Sequence, residues 1–249
     1  MLEELKAEVC RANRALVAHG LVTLTWGNVS GICGERRRVA IKPSGVPYEE
    51  LTPEHVVLVD LEGQVLEGEL RPSSDTATHL RLYRELDGIG GITHTHSRHA
   101  TAFAQARLEI PCLGTTHADH FHGAVPVTRV LSPEEVERDY EGCTGEVILE
   151  RFHGPGAPDP LEMPAVLVAG HAPFVWGRTV GEALDNAIAL EAVAGMALET
   201  MILAARAQAP GAPPLEDWVL ARHYARKHGA DATYGQRPVD GRSPAGREP

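Results

Sequence analysis

Hydrophobic positions along the chain alternate between two rhythms. Leu2, Leu5, Val9, Ala12 and Leu16 recur at helical spacing, and Gly20 follows as a C-terminal stop. Short β-branched runs at Leu21–Thr25, Val39–Lys42 and Val56–Asp60, separated by glycine and proline, predict strands. Gln64–Leu66 predicts a hairpin partner for Val56–Asp60 across Glu62-Gly63. Pro72-Ser73-Ser74-Asp75 opens a predicted helix through about Leu86, with Leu80, Tyr83 and Leu86 facing inward.

Gly91–Thr95, Val125–Val127, Glu146–Leu149 and Ala165–Ala169 read as further strands. Ser132-Pro133-Glu134-Glu135 is a helix start, with an N-cap serine, a proline at the first position and acids on the positive end of the dipole. A long helix is predicted from about Val180 to Gln208, with a stripe of Ala183, Ala187, Leu190, Ala194, Ala197 and Met201. Pro210, Pro213 and Pro214 end it, and a short helix from Glu216 to about Lys227 follows. Arg237–Pro249 carries proline, glycine and charge without periodicity, which predicts a disordered tail. The strands succeed one another without a helix between each pair. That argues against a doubly wound parallel sheet and predicts a mainly antiparallel or mixed sheet covered by helices.

Charge changes the picture by exclusion. The formal net charge is −11, so a general nucleic-acid binder is not expected, since affinity for phosphate backbones comes from a cationic surface. A small phosphorylated substrate needs only one local cluster of donors. Cys10, Cys33, Cys112 and Cys143 form no Cys-x-x-Cys pair and no disulfide framework. The first residues lack a basic patch followed by an apolar run, and no stretch reaches the roughly 18 apolar residues of a membrane span. The expectation is a reduced, soluble, cytoplasmic protein without a membrane partner.

The chemistry concentrates in histidines. His94-Thr95-His96 ends a predicted strand, where residues two apart share a face, so both imidazoles can reach one ion. His171 follows the apolar run Ala165–Ala169 in the manner of a strand-end ligand, and Asp75 in the helix-opening turn can add an oxygen. His94-x-His96 with His99 superficially suggests a metallo-hydrolase, but Ser97-Arg98 supplies no aspartate; a cupin barrel has no place for the helix from Val180. His99 reads as a supporting or structural histidine. His117, His120 and His122 form a second dense set whose crowding alone decides nothing.

Four separated turns are rich in donors and small residues: Trp26-Gly27-Asn28, Lys42-Pro43-Ser44-Gly45, Ser73-Ser74 and Thr115-Thr116. Glycines, hydroxyls and a helix N-terminus suit an anion, and Lys42 adds a point charge. Each taken singly also reads as a turn or a cap, and spacing does not assemble them.

These residues resemble the L-ribulose-5-phosphate 4-epimerases of the class II aldolase/epimerase superfamily. The resemblance is carried by Leu21–Ser30, Ile41–Val46, Pro72–Thr76, Gly91–Thr101, Gly114–Asp119, Gly170–Phe174, Arg226–Gly229 and Tyr234–Gln236. It covers residues 1–236, which predicts one domain there. It implies a three-layer α/β/α fold around a mainly antiparallel sheet, and a homotetramer with active sites between subunits. It maps zinc, or manganese (Mn2+) or cobalt (Co2+) as substitutes, onto His94, His96, His171 and Asp75. Phosphate binding maps onto Gly27, Asn28, Lys42, Ser44, Gly45, Ser73 and Ser74. Asp119 and Tyr234 match the acid/base pair, contributed by a neighbouring subunit. Relatives often carry aromatic residues where this chain has His120 and His122, so the surroundings of Asp119 differ.

The implied reaction interconverts L-ribulose 5-phosphate and D-xylulose 5-phosphate. C4 of a ketopentose phosphate is not acidic, so a retro-aldol cleavage of C3–C4, rotation of the aldehyde fragment and re-addition achieve inversion. A divalent ion supplies Lewis-acid stabilisation of the developing charge. The alternatives are an aldolase of the L-fuculose-1-phosphate type, against which Asp75 stands where those aldolases carry glutamate, and a non-catalytic zinc-binding protein.

Overall fold

Among the described residues, seven short strands pair in the order β4-β3-β2-β1-β5-β7-β6, every neighbour antiparallel. The computed structural model describes residues 2–207, 209, 211–229 and 232. Its elements are α1 (Leu2–Ala18), β1 (Asn28–Ile32), β2 (Arg38–Ile41), β3 (Val57–Asp60), β4 (Val65–Glu67), α2 (Thr76–Glu85) and β5 (Gly91–His94). They continue with α3 (Arg98–Ala106), α4 (Thr115–Ala118), α5 (Pro133–Leu149), β6 (Ala165–Leu167), β7 (Pro173–Gly177), α6 (Val180–Arg206) and α7 (Asp217–His228).

Alternation along the strands divides the core into two layers. On one face, α1, α3 and α6 cover the sheet, with α6 lying across β5 and β7. Asn13 of α1 takes over the ladder where β2 has ended, its Oδ1 accepting from the Val29 amide at 2.8 Å and its Nδ2 donating to the Val29 carbonyl at 3.0 Å. On the other face, Ser30 Oγ lies 2.7 Å from His79 Nδ1 and 2.9 Å from Tyr83 Oη of α2. Phe152, just after α5, meets Trp176 of β7 edge to face at 5.0 Å. The result is the three-layer α/β/α arrangement with a central antiparallel sheet.

Most of the rhythm-based elements are present. The hairpin Val56–Asp60/Gln64–Leu66 is β3–β4, and the stripe Ala183, Ala187, Leu190, Ala194 and Ala197 is buried. Met201, placed in that stripe, is exposed. α6 is long and apolar enough to cross a membrane by length and composition, but here it packs on the sheet. Gln208 and the tail Arg237–Pro249 lie outside the described residues.

Four expectations need correction. Leu21–Thr25 is not a strand: Leu24 takes a left-handed φ of 55° and Trp26 N bonds Thr23 O, so the pleat begins only at Asn28. Val125–Val127 makes single bridges to Ile110 and Leu167 and no strand. Glu146–Leu149 is the last turn of α5. Gly145 there is where α5 presses on α2: a Cβ would lie 2.8 Å from Arg81 Cβ. Finally, Pro173–Gly177 was not read as a strand, yet β7 is buried at all five positions, with its proline at the first residue, where the missing N–H is tolerated.

Candidate active site

Strand register builds the site. Asn28 at the start of β1 stands opposite His94 at the end of β5, and His94 stands opposite Phe174 of β7. His96 lies just beyond β5, and His171 sits in the turn joining β6 to β7, where its N–H donates to Val168 O at 2.9 Å. The three imidazoles form an equilateral triangle, with ring centroids 5.0 Å apart on every side. One ligand atom from each lies within 4.8 Å of the others, as a shared ion requires.

The surroundings of His94 fix which of its nitrogens faces inward. The His94 ring stacks on Phe174 at 4.1 Å, and its Nδ1 lies 2.9 Å from the Pro173 carbonyl. A carbonyl only accepts, so Nδ1 carries the proton and Nε2 is left for a metal. Burial, and next the neighbouring imidazoles, push His171 down to about 4; burial and His94 also lower His96. Neutral imidazole at physiological pH is the state a metal ligand needs.

Asp75 occupies the N-cap position of α2 without making a cap hydrogen bond. Its Oδ2 instead accepts from Asn28 Nδ2 at 2.6 Å and Ser73 Oγ at 3.4 Å. Burial pushes its carboxyl up, but His94, His79 and Asn28 together hold it below the usual range. Asn28 spends its amide on Asp75 and Ser73, leaving its Oδ1 buried without a partner among the described residues.

A cavity of about 590 Å³ opens over these groups. Its wall carries all seven residues of the expected phosphate cradle together with Asp75 and the three histidines. An isolated bridge between Pro43 and Pro72 holds the two serine-bearing turns side by side, with Ser44 N donating to Arg71 O and Ser73 N to Lys42 O. Gly27, at φ +81°, lies so near β5 that a Cβ would stand 2.7 Å from His94 O. Lys42 is 1% exposed, its ammonium 4.8 Å from the Tyr48 ring centre, and burial lowers it to about 8. An incoming phosphate would offset that desolvation.

Two residues of the wall were missed. Tyr140 and Glu141 line the cavity because α5 breaks at Asp139 (φ −170°, ψ 89°), whose Oδ1 then accepts from Gly142 N at 3.1 Å and restarts the helix. The signal was there: Asp139 three residues before Gly142 is a second N-cap pattern within one helical run. Tyr140 Oη lies 3.5 Å from His171 Nδ1.

Other expected residues fall elsewhere. Asp119, at the end of α4, is not on the cavity wall; it is bound by Arg226 and His223 of α7. Tyr234 lies outside the described residues. Thr115-Thr116 forms the first turn of α4. His99 is structural: Glu191 of α6 accepts from its Nδ1 at 2.8 Å and from the His99 and Ala100 amides, capping α3. His120 packs against Lys227, and His122 against Tyr224.

Comparison with known proteins agrees with this geometry. Residues 7–198 match the family described as Class II Aldolase and Adducin N-terminal domain. Over 236 residues the chain is 50% identical to the L-ribulose-5-phosphate 4-epimerase UlaF of Salmonella typhi, covering 95% of this chain and 100% of that one. The protein of the same name from Salmonella choleraesuis gives 50% identity over the same coverage. Among solved structures, an L-fuculose 1-phosphate aldolase superposes with a TM-score of 0.72 at 25% identity, over 90% of this chain and 95% of that one. The L-fuculose-1-phosphate aldolase of Thermus thermophilus gives 0.61 at 27% identity, over 84% and 98%.

Proposed function

The chain belongs to the class II aldolase and adducin N-terminal domain family, and on that premise we propose that it is an L-ribulose-5-phosphate 4-epimerase, an isomerase. The observation that carries the reading is the triangle of His94, His96 and His171 at one cavity wall, with the hydroxyl- and glycine-rich cradle beside it. Relatives at 50% identity across nearly the whole chain bear that epimerase name.

The donor set fits a divalent ion: three imidazoles within reach of a common centre, with Asp75 on the same wall. His94, His96 and His171, with Asp75, would hold it; we assign zinc, with manganese or cobalt as substitutes. When bound, the ion supplies Lewis-acid stabilisation of the charge left on the ketose fragment.

The remaining work falls to the chain. Gly27, Asn28, Ser44, Gly45, Ser73 and Ser74 take the phosphate, with Lys42 as the cation beneath them. That hold keeps the aldehyde fragment from leaving after C3–C4 breaks. Asn28 orients Asp75 through its Nδ2. Asp119 and Tyr234, supplied by a neighbouring subunit of a homotetramer, take the C4 hydroxyl proton on one face of the aldehyde and return it on the other. Four free cysteines accord with a cytoplasmic location.

The test is incubation of the purified protein with L-ribulose 5-phosphate. Appearance of D-xylulose 5-phosphate, abolished by a chelator, is expected. Release of free dihydroxyacetone and glycolaldehyde phosphate would instead establish an aldolase, the reading to which the L-fuculose 1-phosphate aldolase likeness points.

A further inference from the structure

We propose that Arg226 is the positioning residue of Asp119, holding its carboxylate so that a single Oδ2 lone pair is left for proton transfer. The inference rests on the reading of Asp119 as one of the two proton-transfer groups.

The geometry is a side-on clamp. Arg226 donates from Nε to Asp119 Oδ1 at 3.0 Å and from Nη2 to Oδ2 at 2.6 Å. His223 donates from Nδ1 to the same Oδ1 at 3.1 Å. A carboxylate has about four acceptor positions. Among the described residues, three donors therefore fill Oδ1 and half of Oδ2, leaving one position open. The two parallel N–H bonds also fix the carboxylate plane, which a point charge would not do.

Among the described residues, the other charged groups around Asp119 make contacts elsewhere. His228 of α7 donates from Nε2 to the Asp119 backbone carbonyl at 2.9 Å, so it holds α4 to α7 without touching the carboxylate. Lys227 faces the His120 ring at 3.0 Å. His117 of α4 lies 2.7 Å from the Gly123 carbonyl through Nε2. Asp185 of α6 acts on Lys227 through its charge. Burial pushes the Asp119 carboxyl up, but Arg226 and His223 more than offset it and hold it below the ordinary aspartate range. Asp119 is thus an ionised acceptor before substrate arrives, while a tyrosine partner starts as a donor.

A plain docking role for Arg226 is the competing account, because α7 buries none of its own residues and meets α4 through these polar ties. Kinetics separate the two. With metal-loaded enzyme and L-ribulose 5-phosphate, Arg226→Ala is expected to lower kcat by about 10²-fold with KM little changed, as loss of orientation does. Arg226→Lys should do no better, and methylguanidinium should restore much of the rate to R226A and none to D119N. Adding R226A to D119N should cost nothing further. D119N turning over at the wild-type rate would remove Asp119 from the chemistry and end the underlying reading. D119N slow while R226A stays fast would overturn the clamp alone, as would an R226A defect untouched by methylguanidinium and additive with D119N. Should R226A fail to fold, Arg226→Lys carries the test: a kcat about 10²-fold down with KM little changed supports the clamp, and wild-type turnover overturns it.

Discussion

Asn28 and His94 face each other across the β1–β5 ladder, so one pair of strands brings the cradle's amide to the imidazole that stacks on Phe174. Gly27 immediately precedes this pair and leaves no room for a Cβ against His94 O. Gly27→Ala is expected to destabilise the fold by about 1–3 kcal/mol, from a strained left-handed backbone and a forced shift of β5. Urea unfolding measures the loss, and metal content should fall with it because His94 moves.

Removing one corner of the imidazole triangle should empty it. His94→Ala is expected to purify with little bound metal and to lose turnover on the order of 10³-fold, the rate equivalent of several kcal/mol of Lewis-acid stabilisation. Elemental analysis and coupled assay read both. Chelator treatment of the wild type should match it, with zinc, manganese or cobalt restoring activity there and not in the variant.

Asp75 is held by Asn28 rather than spent as a helix cap. Asp75→Asn should weaken metal affinity about 10–100-fold and leave helix α2 intact. Competition with a metal-sensitive dye gives the affinity, and circular dichroism the helix. Unchanged affinity together with unchanged turnover would return Asp75 to a purely structural place.

Lys42 sets a pH dependence with a definite sign. Burial lowers it to about 8, so the cationic form that attracts a phosphate dianion is lost as pH rises through that value. kcat/KM should decline above pH of about 8, and Lys42→Met should be slow throughout and lack this limb. Stability moves the other way. The folded value lies below the ordinary 10.5, so between the two the unfolded chain binds more protons and folding gains stability with rising pH. Urea midpoints across that window should rise in the wild type relative to Lys42→Met.

Tyr234→Phe removes one hydroxyl. It should fold normally and keep its metal while epimerisation slows by about 10²–10⁴-fold, the usual contribution of a general acid or base. Wild-type turnover would remove Tyr234 from the mechanism.

Local patterns made much of this legible. The amphipathic stripes of α1 and α6 and the hairpin β3–β4 follow from spacing alone; His94 and His96 converge as their spacing suggested, although β5 ends at His94. The rest depends on contacts that spacing does not encode. The first strand was placed at Leu21–Thr25 because its β-branched content outweighed a left-handed turn at Leu24 that no residue type announces. The end of α5 was placed as a strand at Glu146–Leu149, but Gly145 lets α5 continue in close packing on Arg81. The cradle turns looked like unrelated caps until the Pro43–Pro72 bridge joined them, and only resemblance had grouped them beforehand. Arg226 was noticed as part of a motif, but its grip on Asp119 needed the docking of α7 on α4.

The third corner of the imidazole triangle comes from a turn far downstream of the other two, beyond α3, α4 and α5. A ribosome releasing this chain therefore exposes His94 and His96 well before His171, and the nascent chain has no complete cage to trap an ion. The pairing of β7 with β5 is what sets His171 beside His94, so an ion that needs all three imidazoles would find them together only once that ladder has formed.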